Sequence, residues 1–272
     1  MEFSATEFRE GQKKVWSSGD WPDVAKSIQP VADELVAEAA ISDGVEVLDI
    51  GTGSGNLAIP AAKAGAKVTG SDITTELFDS ARARAAEAGV EVDWVEADAA
   101  DLPFEDDSYD RVMTVFGAIF APIHQQAADE MARVCKPGGM IAVCCWTPES
   151  VNGRMLMTVG KAMPPPPEGV QPPILWGDED HVRELFKDKD VELDFERKMA
   201  DLNHERKFNS GEGWMEYAEE NLGPVIMAKT VASEQGKWDE LRAKLLGVFE
   251  EAEKDDDFKL ESEYQRTIAR PK

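Results

Sequence analysis

The stretch that most restricts how this chain can fold is residues 45–56, VEVLDIGTGSGN. Branched apolar residues alternate from Val45 to Ile50, which predicts a buried β-strand, and the glycines after it predict a tight turn into a helix that begins at Asn56. Because glycine has no Cβ, such a turn can adopt positive φ angles and lie close to a ligand. The free N–H groups at the start of the helix add positive potential there. This order of elements predicts a cofactor cradle at one edge of an α/β sheet.

The spacing of the glycines separates two classes of cofactor. The dinucleotide fingerprint is G-x-G-x-x-G/A, with the pyrophosphate at the helix N-terminus. In this chain the third glycine comes one place early, at Gly55, and Asn56 stands where that fingerprint requires Gly or Ala. A carboxylate at Asp49 also suits a ligand with an ammonium group better than a ligand with two phosphates. The pattern therefore disfavours NAD and favours a cofactor with an amino-acid group.

The same stretch, written D-x-G-x-G-x-G after a strand, resembles motif I of the class I S-adenosylmethionine (SAM)-dependent methyltransferases. Two later segments resemble that family as well: ADLPFEDDSYDRV at 100–112, and RVCKPGG at 133–139 before the apolar run IAVCCW. The resemblance covers residues 45–146 and is strongest to the small-molecule branch, the ubiquinone/menaquinone C-methyltransferase-like, type 11 group. It implies a Rossmann-like, doubly wound α/β fold with a seven-stranded, mostly parallel sheet, an antiparallel last strand and helical cap insertions.

The resemblance also implies a SAM site. The glycine turn would wrap the amino-acid end of SAM, Asp98 would bind the adenine amino group and the Ala99 N–H would meet a ring nitrogen. Asp72 ends the second predicted strand about 20 residues after the first glycine, where an acidic side chain accepts hydrogen bonds from a ribose. Phe116 ends the fourth strand and could stack on adenine or line the methyl-transfer site. The predicted SAM-binding residues are Asp49, Gly51, Thr52, Gly53, Gly55, Asn56, Asp72, Ile73, Asp98, Ala99 and Phe116.

Aromatic residues near and beyond these motifs are candidates for an acceptor pocket, because large apolar side chains line most small-molecule sites. The predicted acceptor-binding residues are Trp16, Phe120, Trp146, Trp176 and Trp214. His124 follows the fourth predicted strand at the ligand-binding edge of the sheet and is the predicted general base, although methyl transfer from a sulfonium does not require a base. His181 and His204 lie in outer segments and are weaker candidates.

We expect one domain whose chain divides into three parts. Residues 1–40 form a helical segment that is a candidate lid over the cofactor. Residues 41–147 form the SAM-binding core. Residues 148–272 complete the sheet and carry helical insertions that cap the substrate, with an antiparallel pair of strands predicted from the alternation at 191–195 and 258–268.

Composition limits the partners and the compartment. The chain has 54 acidic and 29 basic side chains, and its net charge of −25 opposes a phosphate backbone, so we expect no nucleic-acid partner. The N-terminus lacks the features of a signal peptide, and the longest apolar run is too short to span a bilayer, so we expect a cytoplasmic protein without membrane insertion, either a monomer or a homodimer. The cysteines and histidines lack metal-ligand spacing, so we expect no metal site.

The predicted function is transfer of a methyl group from SAM to an O, N or C atom of a small, apolar or aromatic acceptor, with S-adenosylhomocysteine (SAH) as the product. The alternatives are a non-catalytic SAM-binding sensor or assembly protein and, less favoured, an NAD-dependent oxidoreductase. A cavity that admits a second ligand beside the cofactor would indicate the enzyme. A cavity filled by protein side chains would indicate the sensor.

Overall fold

The computed structural model describes residues 5–203, 208–251 and 258–272, with side chains from residue 8 onward. Over these ranges strands and helices alternate. The strands are β1 (Glu46–Ile50), β2 (Lys67–Asp72), β3 (Asp93–Glu96), β4 (Tyr109–Val115), β5 (Cys135–Trp146), β6 (Val191–Asp201) and β7 (Glu261–Pro271). The helices are α1 (Ala5–Trp16), α2 (Trp21–Val24), α3 (Gln29–Glu38), α4 (Ala58–Lys63), α5 (Phe78–Ala88), α6 (His124–Val134), α7 (Val151–Ala162), α8 (Glu179–Leu185), α9 (Gly211–Asn221), α10 (Gly223–Glu234) and α11 (Trp238–Glu250).

The seven strands form one sheet in the order β3-β2-β1-β4-β5-β7-β6. Strands β1 to β5 pair in parallel, and β7 runs antiparallel to both of its neighbours, β5 and β6. The predicted doubly wound sheet with an antiparallel last strand is confirmed. The strand order reverses between β1 and β4, and open α/β sheets bind ligands at the carboxyl ends of the strands beside such a reversal.

Small and branched apolar side chains explain the tight central core. Val47 and Leu48 of β1 are fully buried, and so is Met113 of β4. Ala58 and Ala61 of α4 are also fully buried, so this helix can lie close to the sheet. Cys135, Cys144 and Cys145 are buried free thiols, and burial raises the pKa of Cys144 to about 12. The cysteines therefore serve as small core residues.

Several boundaries differ from the predicted ones, and prolines account for one of them. The amphipathic stretch from residue 24 to residue 40 is divided into α2, a 3₁₀ segment at Ala25–Ile28 and α3, because Pro30 must occupy the start of a helix and cannot continue one. Helix α4 begins at Ala58, two residues after the predicted start at Asn56. The KPGG segment, predicted to precede the fifth strand, lies within β5.

The insertion between β6 and β7 is helical, as predicted. Helices α9, α10 and α11 pack against one another, α10 and α11 pack against α7, and α10 also contacts α1. Trp214, Leu245 and Phe249 are buried in this group of helices. Its position beside both α1 and α7 brings side chains from the two ends of the chain to the same side of the sheet.

Two largely buried cations join α3 to the final pair of strands. Lys198 of β6 contacts Glu34 at 2.9 Å and also pairs with Glu38. Arg266 of β7 contacts Glu196 at 2.6 Å, and its Nε lies 3.3 Å from Glu38. These pairs fix the N-terminal segment against the sheet edge far from it in sequence.

Across the residues that the structure describes, every helix falls short of the length and hydrophobicity that a membrane span requires.

Candidate active site

A cavity of about 230 Å³ lies at the carboxyl ends of β1 and β4, where the strand order reverses. One end of its lining consists of the glycine turn, the segments after β2 and β3, and the end of β4. The other end consists of apolar side chains from α1, α2, α7, α9 and α10. The predicted SAM-binding residues that line it are Gly51, Thr52, Gly53, Asn56, Asp72, Ile73, Asp98, Ala99 and Phe116. The predicted acceptor-binding residues that line it are Trp16, Phe120, Trp146 and Trp214.

The glycine turn has the geometry of a cradle. Gly51 has φ +68°, and a Cβ built there would lie 2.6 Å from the Cα of Gly117. Gly53 has φ +53°, and a Cβ there would meet nothing nearer than Leu77, at 3.9 Å. Gly51 is therefore required by close packing of two turns, whereas Gly53 leaves open space on the side of the cavity. Open space of this kind fits a ligand that lies directly against the backbone.

Asp72 connects the second strand to the glycine turn. Its Oδ2 accepts a hydrogen bond from the Gly53 N–H at 2.8 Å, and its Oδ1 accepts one from the Thr74 N–H at 2.8 Å. Burial raises the pKa of Asp72, and these backbone donors partly oppose the rise. Each carboxylate oxygen has a further lone pair, so Asp72 can accept hydroxyl donors from the cavity.

Asp49 has a different role from the predicted one. Its side chain does not line the cavity: Oδ2 accepts hydrogen bonds from Thr52 Oγ1 at 2.6 Å and from the Ala58 N–H at 3.1 Å. Burial raises the pKa of Asp49 to about 7. The carboxylate joins the turn to the start of α4 in this structure, so the geometry gives no support to the predicted direct contact between Asp49 and a ligand in the cavity. Gly55 likewise lies behind the turn, against Trp94 and Ile59.

Asp98, after β3, is held by the first helix. Its Oδ2 lies 2.6 Å from Nη2 of Arg9, and its Oδ1 accepts a hydrogen bond from the Ala100 N–H at 3.0 Å. One turn further along α1, Lys13 contacts Glu96 at 2.6 Å. Two carboxylates at the end of β3 therefore tie α1 across the side of the cavity where the adenine is predicted to bind. The lid role of this segment stays a prediction.

A polar network supports the glycine turn from behind. Arg84 Nη1 donates to the carbonyl oxygen of Ser54 at 2.7 Å, to Ser54 Oγ at 2.9 Å and to Asn56 Oδ1 at 2.8 Å. Asn56 Nδ2 donates to the carbonyl oxygen of Ala25 at 3.1 Å, and Gln29 Nε2 donates to the Asn56 carbonyl at 2.9 Å. Helix α5, the turn and the N-terminal segment are thus connected at one place.

The end of the cavity away from the glycine turn is aromatic. The rings of Phe116 and Trp146 are stacked, with centroids 3.8 Å apart and planes 4° apart, and Trp16 lies against Phe120 with centroids 4.2 Å apart. Phe116 has φ +57°, an uncommon conformation for a bulky residue, which costs of the order of 1–3 kcal/mol and tends to occur at functional sites. Of the described residues that line the cavity, Asp72 and Asp98 alone are ionisable, and both belong to the other end.

His124 and Trp176 lie outside the cavity lining. His124 is fully buried, its Nδ1 is 2.9 Å from Nε2 of His181, and its ring packs against Trp176. Burial, together with the second histidine, lowers the pKa of His124 to about 3. Both side chains belong to the packing around the 3₁₀ segment Pro173–Gly177, so the geometry argues against a general base at His124 and against an acceptor contact at Trp176. His204 lies outside the described residues.

Several lining residues are absent from the predicted set. Trp21 and Val24 come from α2, Asn152 and Met155 from α7, and Pro224 from α10. The predicted lid and cap segments contain all five, so the segments were identifiable from the sequence although the individual side chains were not. Among the described residues no group of three or more His, Cys, Asp or Glu side chains could hold a metal ion.

Comparison with known proteins places these features in a family context. A family model described as a methyltransferase domain matches residues 47–139. An uncharacterised protein of Mycobacterium tuberculosis is 41% identical over 217 residues, which cover 79% of this chain and 78% of the relative. Methyltransferase GfsG of Streptomyces halstedii is 38% identical over 135 residues, 46% of this chain and 48% of the relative. The crystal structure of the YcgJ protein from Bacillus subtilis has a TM-score of 0.58 and 16% identity, and the match covers 89% of this chain and 98% of that one.

Proposed function

The chain belongs to the class I SAM-dependent methyltransferases, and on that premise we propose that it methylates a small, apolar or aromatic acceptor bound at the aromatic end of the cavity. SAM, when bound, supplies an electrophilic methyl group on a sulfonium. The observation that carries the proposal is the division of one cavity into an end with Asp72 and Asp98 and an end with stacked aromatic rings. The two ends match the two reactants of a methyl transfer.

The residues of the cofactor end fit the parts of SAM. Gly51 and Gly53 would admit the amino-acid group close to the backbone, Asp72 would accept hydrogen bonds from the ribose hydroxyls, and Asp98 with the Ala99 N–H would meet the adenine edge. The open space beside Gly53 supports this assignment, because no protein side chain fills it. Thr52, Asn56 and Ile73 complete the lining on this side.

The residues of the acceptor end are suited to alignment and exclusion of water. Trp16, Phe120, Trp146 and Trp214 offer rigid apolar surfaces, and Met155 from α7 adds a flexible one. An in-line displacement depends mainly on holding the nucleophile against the methyl group in a dry site. The described residues that line this end of the cavity carry no charge. They favour acceptors without a net charge, since an unpaired ion would lose its hydration there.

The cavity also bears on the sensor alternative. A protein that only senses SAM needs a closed cradle, whereas this cavity continues past Phe116 to side chains of α7, α9 and α10. Lining residues on these helices, beyond the predicted SAM contacts, favour a second ligand site and hence an enzyme. Phenols, quinones and amines are the acceptors to screen.

The test is calorimetric titration of the purified protein with SAM, SAH and NAD. We expect micromolar binding of the two sulfur nucleotides and none of NAD, and at least a tenfold loss of SAM affinity in Asp72→Ala, because two ribose hydrogen bonds to a carboxylate are removed. Asp79→Ala is the matched control, since Asp79 lies on the surface of α5 and its side chain is 96% exposed. Binding of NAD alone would overturn the proposal. Transfer of a labelled methyl group to the screened acceptors then separates the enzyme from the sensor.

A further inference from the structure

Arg84 is a partly buried cation with an unusual set of partners. Its guanidinium, on α5, donates three hydrogen bonds to Ser54 and Asn56 and a fourth, at 3.3 Å, to Oε1 of Gln29. All four acceptors are neutral oxygens, and within the described ranges no carboxylate pairs with this guanidinium. Arginines buried in proteins are usually paired with an acid. Here the positive charge is held in place without being neutralised.

The location of this charge matters because Ser54 and Asn56 line the cavity. Both residues are buried, with exposed fractions of 3% and 9%, so water screens the charge poorly on this side. Burial lowers the pKa of Arg84, as expected for a cation without an opposite charge beside it. An anion that entered the glycine turn would therefore gain electrostatic energy from Arg84 through one layer of polar side chains.

The charged side chains that contact the glycine turn are of both signs: Asp49 and Asp72 are acids, and Arg84 is a cation. Asp49 lies behind Thr52, and Asp72 contacts Gly53, so both acids are on the strand side of the turn. Arg84 reaches the opposite side, where the turn enters α4. A ligand group that carries an ammonium and a carboxylate together would find acids on one side of the turn and a cation on the other.

We propose that Arg84 is the positioning residue that gives the glycine turn its preference for a ligand carboxylate, namely the carboxylate of the amino-acid group of SAM, and that it acts through Ser54 and Asn56. The inference rests on the proposed function, because it assumes that SAM occupies the cavity. The competing explanation is that Arg84 only holds the turn in shape by hydrogen bonding. The two explanations differ in whether the charge itself matters.

A binding experiment separates them. SAM and decarboxylated SAM differ by the carboxylate alone, so the ratio of their dissociation constants measures the carboxylate preference of each variant. Arg84→Gln keeps hydrogen-bond donors and removes the charge, whereas Arg84→Lys keeps the charge and changes the donor geometry. Arg82→Gln is the control on the same helix, where the side chain is 55% exposed and contacts Asp79.

We expect Arg84→Gln to weaken SAM binding about tenfold and decarboxylated SAM binding less than about threefold, with Arg84→Lys and Arg82→Gln keeping the wild-type ratio. Thermal unfolding of each variant shows that the fold is retained. Equal losses for both ligands in Arg84→Gln would overturn the inference and leave the proposed function standing, and so would unchanged binding of both. A wild-type protein that binds neither ligand would overturn the proposed function together with the inference.

Discussion

A single methyl group at position 51 would collide with a neighbouring turn. Because a Cβ at Gly51 would lie 2.6 Å from a backbone carbon of Gly117, Gly51→Ala must push two turns apart. We expect it to lower the free energy of unfolding by several kcal/mol and to abolish SAM binding. Urea unfolding and calorimetry measure the two effects.

Gly89 provides the matched comparison. It has φ +70°, nearly the same as Gly51, yet a Cβ there would meet nothing within 4 Å. Gly89→Ala therefore reports the cost of the backbone conformation alone, about 1–2 kcal/mol. Equal destabilisation by the two substitutions would show that the contact with Gly117 has no energetic weight.

His124 makes the stability of the protein depend on pH. Its pKa is about 3 in the folded protein, below the ordinary value of 6.5, so the unfolded chain binds the proton more tightly. The stability that neutral His124 contributes is complete above pH 6.5 and is lost as the pH falls from 6.5 toward 3. When the pH is lowered from 7.5 to 5, protonation linked to His124 alone should reduce the free energy of unfolding by about 2 kcal/mol.

His124→Gln is the variant that tests this dependence, because glutamine is polar and does not titrate. We expect the unfolding free energy of the variant to fall less than that of the wild type between pH 7.5 and pH 5, measured by urea denaturation. His181 also has a lowered pKa, so some dependence should remain. Parallel curves for the two proteins would contradict the burial of His124 in its neutral form.

Among the structural elements, α1 is held against the side of the cavity by one of its faces. Arg9, Gln12, Lys13 and Trp16 lie on one face of the helix, at spacings of three and four residues. Arg9 contacts Asp98, and Lys13 contacts Glu96. Gln12 donates a hydrogen bond to the Phe120 carbonyl, and Trp16 packs against the Phe120 ring. The face is therefore bound to the ends of β3 and β4, which both border the cavity. Ion pairs at this degree of exposure contribute about 0.2–1 kcal/mol each.

We expect Arg9→Ala combined with Lys13→Ala to leave the free energy of unfolding within about 1–2 kcal/mol of the wild-type value. In the same variant, amide hydrogen exchange in residues 8–16 should become faster, and SAM should dissociate several-fold faster. Hydrogen exchange and stopped-flow binding measure these changes. Lys14→Ala is the control, because Lys14 is exposed on the other face of α1. Unchanged exchange rates in the double variant would show that these pairs do not hold the helix.

The elements that the sequence predicts well are those specified by local patterns. The strands and turns between residues 45 and 146 follow from alternating apolar residues and from glycines, although β5 begins at Cys135, six residues before the apolar run that predicted it. Asp72 and Asp98 are at the cavity because the ends of parallel strands meet at one edge. His124 occupies a similar place in the sequence, but its side chain turns into the packing of α6 and α8. A linear sequence does not show the direction of a side chain at a helix start.

For the molecule as a whole, composition predicts the excess of acid but not its arrangement. Lys198 pairs with Glu34 and Glu38, more than 150 positions away, and Arg9 pairs with Asp98. Such pairs depend on the tertiary fold, so neither Arg9 nor Arg84 could be identified as part of the site from sequence patterns. The aromatic end of the cavity was predictable as a set of tryptophans, whereas the position of Trp176 outside the lining depends on how the 3₁₀ segment before α8 packs.

The place of β7 in the sheet has a consequence during synthesis of the chain. Strand β6 pairs with β7, and β7 also completes the bonding of β5, yet residues 202–260 are made between β6 and β7. At typical rates of 5–20 residues per second, the ribosome needs roughly 3–12 s for that interval. During that time β5 and β6 present unpaired backbone edges on the nascent chain. Cells making this protein therefore face a brief window for wrong strand pairing, and slower translation of residues 202–260 would lengthen it.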